Sequence, residues 1–205
     1  MRALLLIDVQ KDFLPGGSLA VAEGDQIVPI INACLRKFDL VVATKDWHPP
    51  KHESFASQHH GYAVGQQIDL HGLPQILWPD HCIQQTKGSE FSDDLQTSAI
   101  DHVAYKGDDP QVDSYSGFFD NDRRHATGLH DWLQAKGVAE LYLAGLATDY
   151  CVKYTALDAI DLGYRVWLIV DACRGVDLSP GDVNAALEEM KAHGVTLIQS
   201  ADIAP

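Results

Sequence analysis

Short apolar runs alternate with longer segments whose apolar residues recur at helical spacing, and the alternation persists from one end of the chain to the other. Ala3–Val9 is a continuous run of Leu, Ile and Val around Asp8, with Gln10 after it. Its length and side chains suit a strand buried on both faces. Ile27, Ile30, Ile31, Cys34, Leu35 and Phe38 share one face of a helix over Ile27–Phe38. Leu40–Thr44 reads as the second strand, His102–Lys106 as the third, Glu140–Ala144 as the fourth, Tyr164–Val170 as the fifth and Val195–Gln199 as the sixth. Leu129–Lys136, stopped by Gly137, and Asp149–Leu162 read as helices. Gly145 reads as the breaker that ends the fourth strand and Thr148 as an N-cap. In Ser179-Pro180-Gly181-Asp182 the serine reads as an N-cap, the proline as the first helical residue and the aspartate as an acidic third one. The helix they open runs to Gly194.

Strands alternating with helices imply βαβ units. The pattern therefore predicts one α/β domain over residues 1–205, a three-layer sandwich with a mostly parallel six-stranded sheet and helices on both faces. Two stretches have no period. Asp46–Glu90 is rich in His, Pro, Gly and Gln, and Gly107–Thr127 is polar and glycine-containing. Loops this long inside a compact domain usually carry function. Ligands in open parallel sheets bind beyond the carboxyl ends of the strands. Asp8, Asp46, Lys106 and Cys151 all fall at or just after such ends, so the topology can bring them to one edge of the sheet.

Composition narrows the partners. The 205 residues are 46% hydrophobic, enough for a proper core, and carry a net charge of −14. That balance argues against nucleic acid and anionic membrane surfaces, and says little about a small neutral ligand. The apolar run from Met1 to Asp8 is too short for a signal peptide, and no stretch approaches a transmembrane span. Cys34, Cys82, Cys151 and Cys173 are widely separated and form no CxxC pair. They read as free thiols in a reducing cytoplasm. No GxGxxG, GxxxxGK[ST] or GxSxG motif follows a predicted strand, which argues against a dinucleotide-dependent dehydrogenase, a P-loop enzyme and a serine hydrolase.

Candidate chemistry centres on Cys151. It is placed in the first turn of a helix that follows a strand, where unpaired backbone N–H groups and the helix dipole favour a thiolate. The alternative is a small buried hydrophobe. A thiol needs a base or a nearby cation to act as a nucleophile. Asp8 can take its proton, Lys106 can hold the resulting charges, and the Ala147 and Cys151 amides can form an oxyanion hole. Asp46-Trp47-His48 puts a carboxylate and an imidazole on the same side of an extended chain. Such a pair suits zinc, iron or manganese, and His81, in Trp78-Pro79-Asp80-His81-Cys82, offers a third ligand. His52, His59, His60 and His71, taken singly, read as loop histidines. Phe13, Trp78 and Tyr115 lie in loops at the same edge and can wall a flat ring.

Six motifs, in this order, carry a resemblance that runs through nearly the whole chain. They are Ile7-Asp8-Val9-Gln10-Lys11-Asp12-Phe13, Asp46-Trp47-His48, Trp78-Pro79-Asp80-His81-Cys82, Lys106-Gly107, Tyr115-Ser116-Gly117-Phe118 and Gly145-Leu146-Ala147-Thr148-Asp149-Tyr150-Cys151-Val152. Together they resemble the nicotinamidase (pyrazinamidase) branch of the isochorismatase-like cysteine hydrolases. The resemblance implies hydrolysis of nicotinamide to nicotinate and ammonia through a cysteine thioester, in NAD salvage, with pyrazinamide also accepted. It implies Cys151 as nucleophile, Asp8 as general base and Lys106 as third triad member. It implies one divalent metal ion on Asp46, His48 and His81, zinc first, with iron and manganese as alternatives, facing the pyridine nitrogen. Phe13 and Trp78 would sandwich the ring, and a cis Leu146–Ala147 peptide would aim the Ala147 N–H into the oxyanion hole.

Isochorismatases proper lack the cysteine, and the carbamoyl-substrate amidohydrolases of the family lack the metal cluster; this chain has both. Some relatives supply a further metal ligand shortly after the Asp-x-His pair, which here falls at His52–Ser54. The resemblance is compatible with a monomer or a homo-oligomer. Two other functions compete. A cysteine amidase for a different small amide predicts poor turnover of nicotinamide. A non-catalytic metal-binding or ligand-sensing module predicts binding without turnover, and the presence of Asp8, Lys106 and Cys151 together argues against it.

Overall fold

The computed structural model describes residues 1–204. Eight strands form in chain order: β1 (Arg2–Ile7), β2 (Leu40–Asp46), β3 (Gln67–Leu70), β4 (Leu73–Ile76), β5 (His102–Lys106), β6 (Glu140–Leu146), β7 (Arg165–Arg174) and β8 (Thr196–Ile198). Four α-helices accompany them: α1 (Ile27–Cys34), α2 (Leu129–Ala135), α3 (Lys153–Asp161) and α4 (Asp182–Ala192). Six strands make one sheet in the order β5-β2-β1-β6-β7-β8, and every pairing in it is parallel. The chain starts at the centre, winds outward to β5, then crosses to the other side through β6. The expected α/β sandwich is thus present.

Alternation along β1 shows how the layers are held. Ala3, Leu5 and Ile7 pack with Leu129 and Leu133 of α2, Ala156 and Ala159 of α3 and Met190 of α4. Leu4 and Leu6 point the other way, to Ile27, Val28 and Ile31 of α1. The side chains from Ala3 to Ile7 are all fully buried, because a central parallel strand has helices on both faces. Each buried Leu or Ile stabilises the fold by about 1.5–3 kcal/mol relative to exposure.

Several boundaries differ from those expected of the sequence. The helix over Ile27–Phe38 is α-helical only to Cys34 and continues as a 3₁₀ turn, Leu35–Lys37. Gly145 does not break β6 but lies inside it, at φ +136°. A Cβ there would stand 2.1 Å from the Ile7 carbonyl oxygen, so glycine allows β1 and β6 to meet. Thr148 is not a cap. Ala147, extended, precedes a π-helical turn over Thr148–Val152, and its carbonyl accepts from the N–H groups of Tyr150 and Val152, both at 3.1 Å. Ser179 and Pro180 lie outside α4, which starts at Asp182 after Gly181 at φ +103°. Asp177 takes the capping part, its Oδ1 accepting from the N–H groups of Gly181 (3.0 Å) and Val183 (3.2 Å). The stretch without period, Asp46–Glu90, contains the antiparallel hairpin β3–β4.

Candidate active site

At the C-terminal edge of the sheet the backbone turns sharply after β1, and Asp8 adopts φ +50°. Its side chain is fully buried. The Thr44 hydroxyl, on neighbouring β2, donates to Asp8 Oδ1 at 2.6 Å. β2 and β5 end side by side, with Asp46 paired to Lys106. Lys106 is 1% exposed and reaches into the site. Its Nζ donates to Asp46 Oδ1, to the Ser114 carbonyl at 2.8 Å and to Cys151 Sγ at 3.3 Å. Asp8 Oδ2 lies 3.0 Å from the same nitrogen, an ion contact without hydrogen-bond geometry that leaves this oxygen short of a partner. Ligand atoms of Asp8, Asp46 and Cys151 all fall within 4.8 Å of one another. The structure therefore brings Asp8, Lys106 and Cys151 together from three strand ends.

The electrostatics follow from burial. Burial pushes the Cys151 thiol well above its ordinary value; Lys106 opposes the shift, while Asp8 and Asp46 reinforce it. At neutral pH the thiol is protonated, and a base must take its proton when it attacks. Asp8 is also raised, by burial first, against the pull of Lys106. A carboxylate of raised proton affinity is the better general base. Burial acts to neutralise Lys106, yet Asp46 and Asp8 outweigh it and hold the ammonium well above its usual range.

Asp46, His48 and His81 form a second cluster that shares Asp46 with the first. His48 Nε2 and His81 Nε2 each lie 3.6 Å from Asp46 Oδ2. His48 Nδ1 meets the Gly107 carbonyl at 2.8 Å and His81 Nδ1 the Pro79 carbonyl at 2.7 Å. A carbonyl only accepts, so both Nδ1 atoms carry protons and both Nε2 atoms face inward, the arrangement that orients imidazoles around a metal. His48 Nε2 is buried without a hydrogen-bond partner. Burial acts to lower the His48 pKa, but the Asp46 carboxylate outweighs it and holds the imidazole above its ordinary value. The three residues are thus a group able to hold a divalent metal ion.

Gln10 steadies this cluster. Its side-chain amide accepts from the Asp46 N–H and donates to the Asp46 carbonyl, both at 2.8 Å. His52 and Ser54 lie alongside. Ser54 donates its backbone N–H to His52 Nδ1 at 3.1 Å, and its Oγ is 2.7 Å from the same nitrogen. Ser54 therefore faces His52, while burial lowers the His52 pKa to about 4. His48, His52 and Asp113 make a further group within 4.8 Å. The other three histidines of the Asp46–Glu90 stretch sit elsewhere: His59 Nε2 meets the Glu53 carbonyl, His71 pairs with Glu53 at the surface and His60 is exposed.

A cleft opens onto the thiol, with about 340 Å³ of atom-free space including its mouth. Phe13, Trp78 and Tyr115 line it, with Leu19, Tyr150 and Val176. Trp78 Nε1 and Gln75 Nε2 both donate to Tyr115 Oη at 3.2 Å, which locks the two rings together. Phe13 meets His81 edge-on, with centroids 5.5 Å apart. The Leu146–Ala147 peptide is cis, and Ala147 is a wall of the cleft beside Cys151. In the sequence Gln10 and Tyr150 stand out only as parts of motifs, and neither Asp113, on the aperiodic stretch Gly107–Thr127, nor Val176, just after β7, carries a local signal.

The chain belongs to the isochorismatase family: the isochorismatase domain pattern matches residues 2–202. Within that family it is 52% identical to a nicotinamidase of Escherichia coli K12, over 98% of this chain and 96% of the relative. The structure of a nicotinamidase and pyrazinamidase from Acinetobacter baumanii superimposes with a TM-score of 0.96 at 43% identity, covering 99% of this chain and 98% of that one. A Pyrococcus horikoshii pyrazinamidase in complex with zinc superimposes with a TM-score of 0.78 at 40% identity, covering 97% and 98%.

Proposed function

We propose that residues 1–205 form one amidohydrolase domain that converts nicotinamide to nicotinate and ammonia, as a step of NAD salvage, and that also accepts pyrazinamide. The observation that carries this reading is the buried contact of Lys106 with Asp8 and Cys151, at the foot of an aromatic cleft and beside the Asp46–His48–His81 triangle.

The ring enters between Phe13 and Trp78, with Tyr115 behind them. Asp8 removes the proton from Cys151 as Sγ attacks the carboxamide carbon. The carbonyl π electrons move to oxygen, and the oxyanion is held by the Ala147 and Cys151 amides. Asp8 returns its proton to the amide nitrogen, the C–N bond breaks and ammonia leaves a thioester on Cys151. Asp8 then takes a proton from a water that attacks the thioester. The C–S bond breaks, the thiolate recovers the proton from Asp8, and the acid leaves as nicotinate, its carboxyl proton passing to solvent. Lys106 stays protonated throughout and holds the charge of both carboxylates and of the transient thiolate.

Asp46, His48 and His81 would hold the divalent ion, and the zinc-bound relative favours zinc over iron or manganese, which accept the same donors. When bound, it supplies a Lewis-acidic anchor for the ring nitrogen, which orients the substrate. His48 and His81 are kept in the required tautomer by the Gly107 and Pro79 carbonyls.

The test is ammonia release from nicotinamide. Wild type is expected to be active and Cys151→Ala to lose at least about 10⁴-fold in kcat. A Cys151→Ala enzyme with undiminished activity removes the nucleophile assignment, and a folded, metal-loaded wild type that binds nicotinamide without turnover favours a sensing module instead.

A further inference from the structure

Asp149 stands two residues before Cys151 in the same π-helical turn and is 5% exposed. None of the chemistry above uses it. Its carboxylate faces away from the reacting groups toward the loop that follows β7, where Oδ1 accepts the Val176 N–H at 2.9 Å and Oδ2 the Asp177 N–H at 2.8 Å. Val176 is a wall of the ring cleft. The loop is pressed close: a Cβ on Gly175 would lie 2.9 Å from Asp149 Oδ1 and 2.2 Å from Val183 Cγ2. On its far side Asp177 accepts from Gly181 and Val183 at the start of α4. The wall residue is thus tied on one side to the nucleophile's own turn and on the other to a helix.

We propose that Asp149 is a positioning residue for substrate selectivity. By gripping two consecutive backbone N–H groups, it holds Val176 in register with Cys151. The cleft then admits a flat, unsubstituted aromatic amide and rejects rings that carry a substituent on the Val176 side. Charge-assisted pairs of this kind are roughly twice as strong as neutral hydrogen bonds. The grip therefore lets one turn place both the nucleophile and part of the wall that orients its target. The proposal rests on the nicotinamide reading above.

The experiment compares wild type, Asp149→Asn, Val176→Ala and Asp177→Ala on nicotinamide and on its 2-, 4-, 5- and 6-methyl derivatives. An asparagine replaces one of the two accepting oxygens with an NH2 group that can only donate. With Asp149→Asn, KM for nicotinamide is expected to rise about tenfold, with kcat changing less. At least one methyl derivative should gain about tenfold in kcat/KM relative to nicotinamide, and the same derivative should gain in Val176→Ala. Asp177 is exposed, and Asp177→Ala keeps both backbone N–H groups that Asp149 holds, so it controls for the tie to α4; Asp149→Ser, which offers a single short acceptor, carries the test if Asp149→Asn does not fold. A purely structural Asp149 would lower thermal stability while leaving the substrate ratio alone. An unchanged ratio in folded Asp149→Asn, or in Asp149→Ser should the former not fold, overturns the proposal. A wild type inert toward nicotinamide sinks the reaction assignment and this proposal together, whereas an active wild type with an unchanged ratio in the variants sinks this proposal alone.

Discussion

Lys106 Nζ donates to Cys151 Sγ across 3.3 Å, with the lysine 1% exposed. The same nitrogen touches both buried carboxylates, so one cation serves the base, the nucleophile and a metal-ligating aspartate. Removing it leaves Asp8 and Asp46 buried without their ammonium. Lys106→Met is expected to lose about 3–5 kcal/mol of stability, measured by urea unfolding with a chelator present so that a bound metal does not mask the loss. A loss below about 1 kcal/mol would mean that water or relaxation screens the pair.

The pH profile should carry the signature of Asp8. Its pKa is raised above 3.8 by burial, with Lys106 pulling the other way. The ionised carboxylate is the active form, and it predominates above its pKa. Activity should therefore fall on acidification, with the midpoint of the kcat/KM limb above 3.8. Asp8→Asn should cost about 10²–10⁴ in rate and erase that limb. If the limb persists in Asp8→Asn with its midpoint unmoved, another group is the base.

Gln10 makes paired hydrogen bonds to the backbone of Asp46 and touches no metal ligand atom itself. Outer partners of this kind typically account for 10–100-fold in metal affinity. Gln10→Ala is expected to weaken zinc binding by about that factor, read by competition with a chromophoric chelator on the purified apoprotein. His48→Ala should weaken it further. Equal affinity in Gln10→Ala and wild type would show that the sheet alone sets Asp46.

Gly145 tests the packing that frames the site. An alanine there meets the Ile7 carbonyl at 2.1 Å and must keep a φ of +136° that side chains avoid. Gly145→Ala is expected to cost more than about 3 kcal/mol, visible as a large drop in the urea midpoint. A shift under about 1 kcal/mol would mean that β1 and β6 separate easily.

The six strands of the parallel sheet, the four helices among them and the edge on which Asp8, Asp46, Lys106 and Cys151 gather were readable from the sequence, whereas the β3–β4 hairpin was not. Buried parallel strands must be runs of apolar side chains, and the helices that cover them must be amphipathic. Those patterns are local, as are the motifs around each functional residue. Local signals failed where a longer-range contact decided the backbone. Gly145 looks like a strand end in sequence, but the approach of Ile7 places it inside β6. Ser179 and Pro180 look like the start of a helix, but Asp177 caps α4 and moves that start to Asp182. Only the tertiary structure turned Ser54 toward His52, set Gln10 on the backbone of Asp46 and hung Val176 from Asp149. Each of these is a hydrogen bond made by a side chain in or beside a loop. Such bonds have no period along the chain, and those of Gln10 and Asp149 exist only once the sheet has brought its strand ends together.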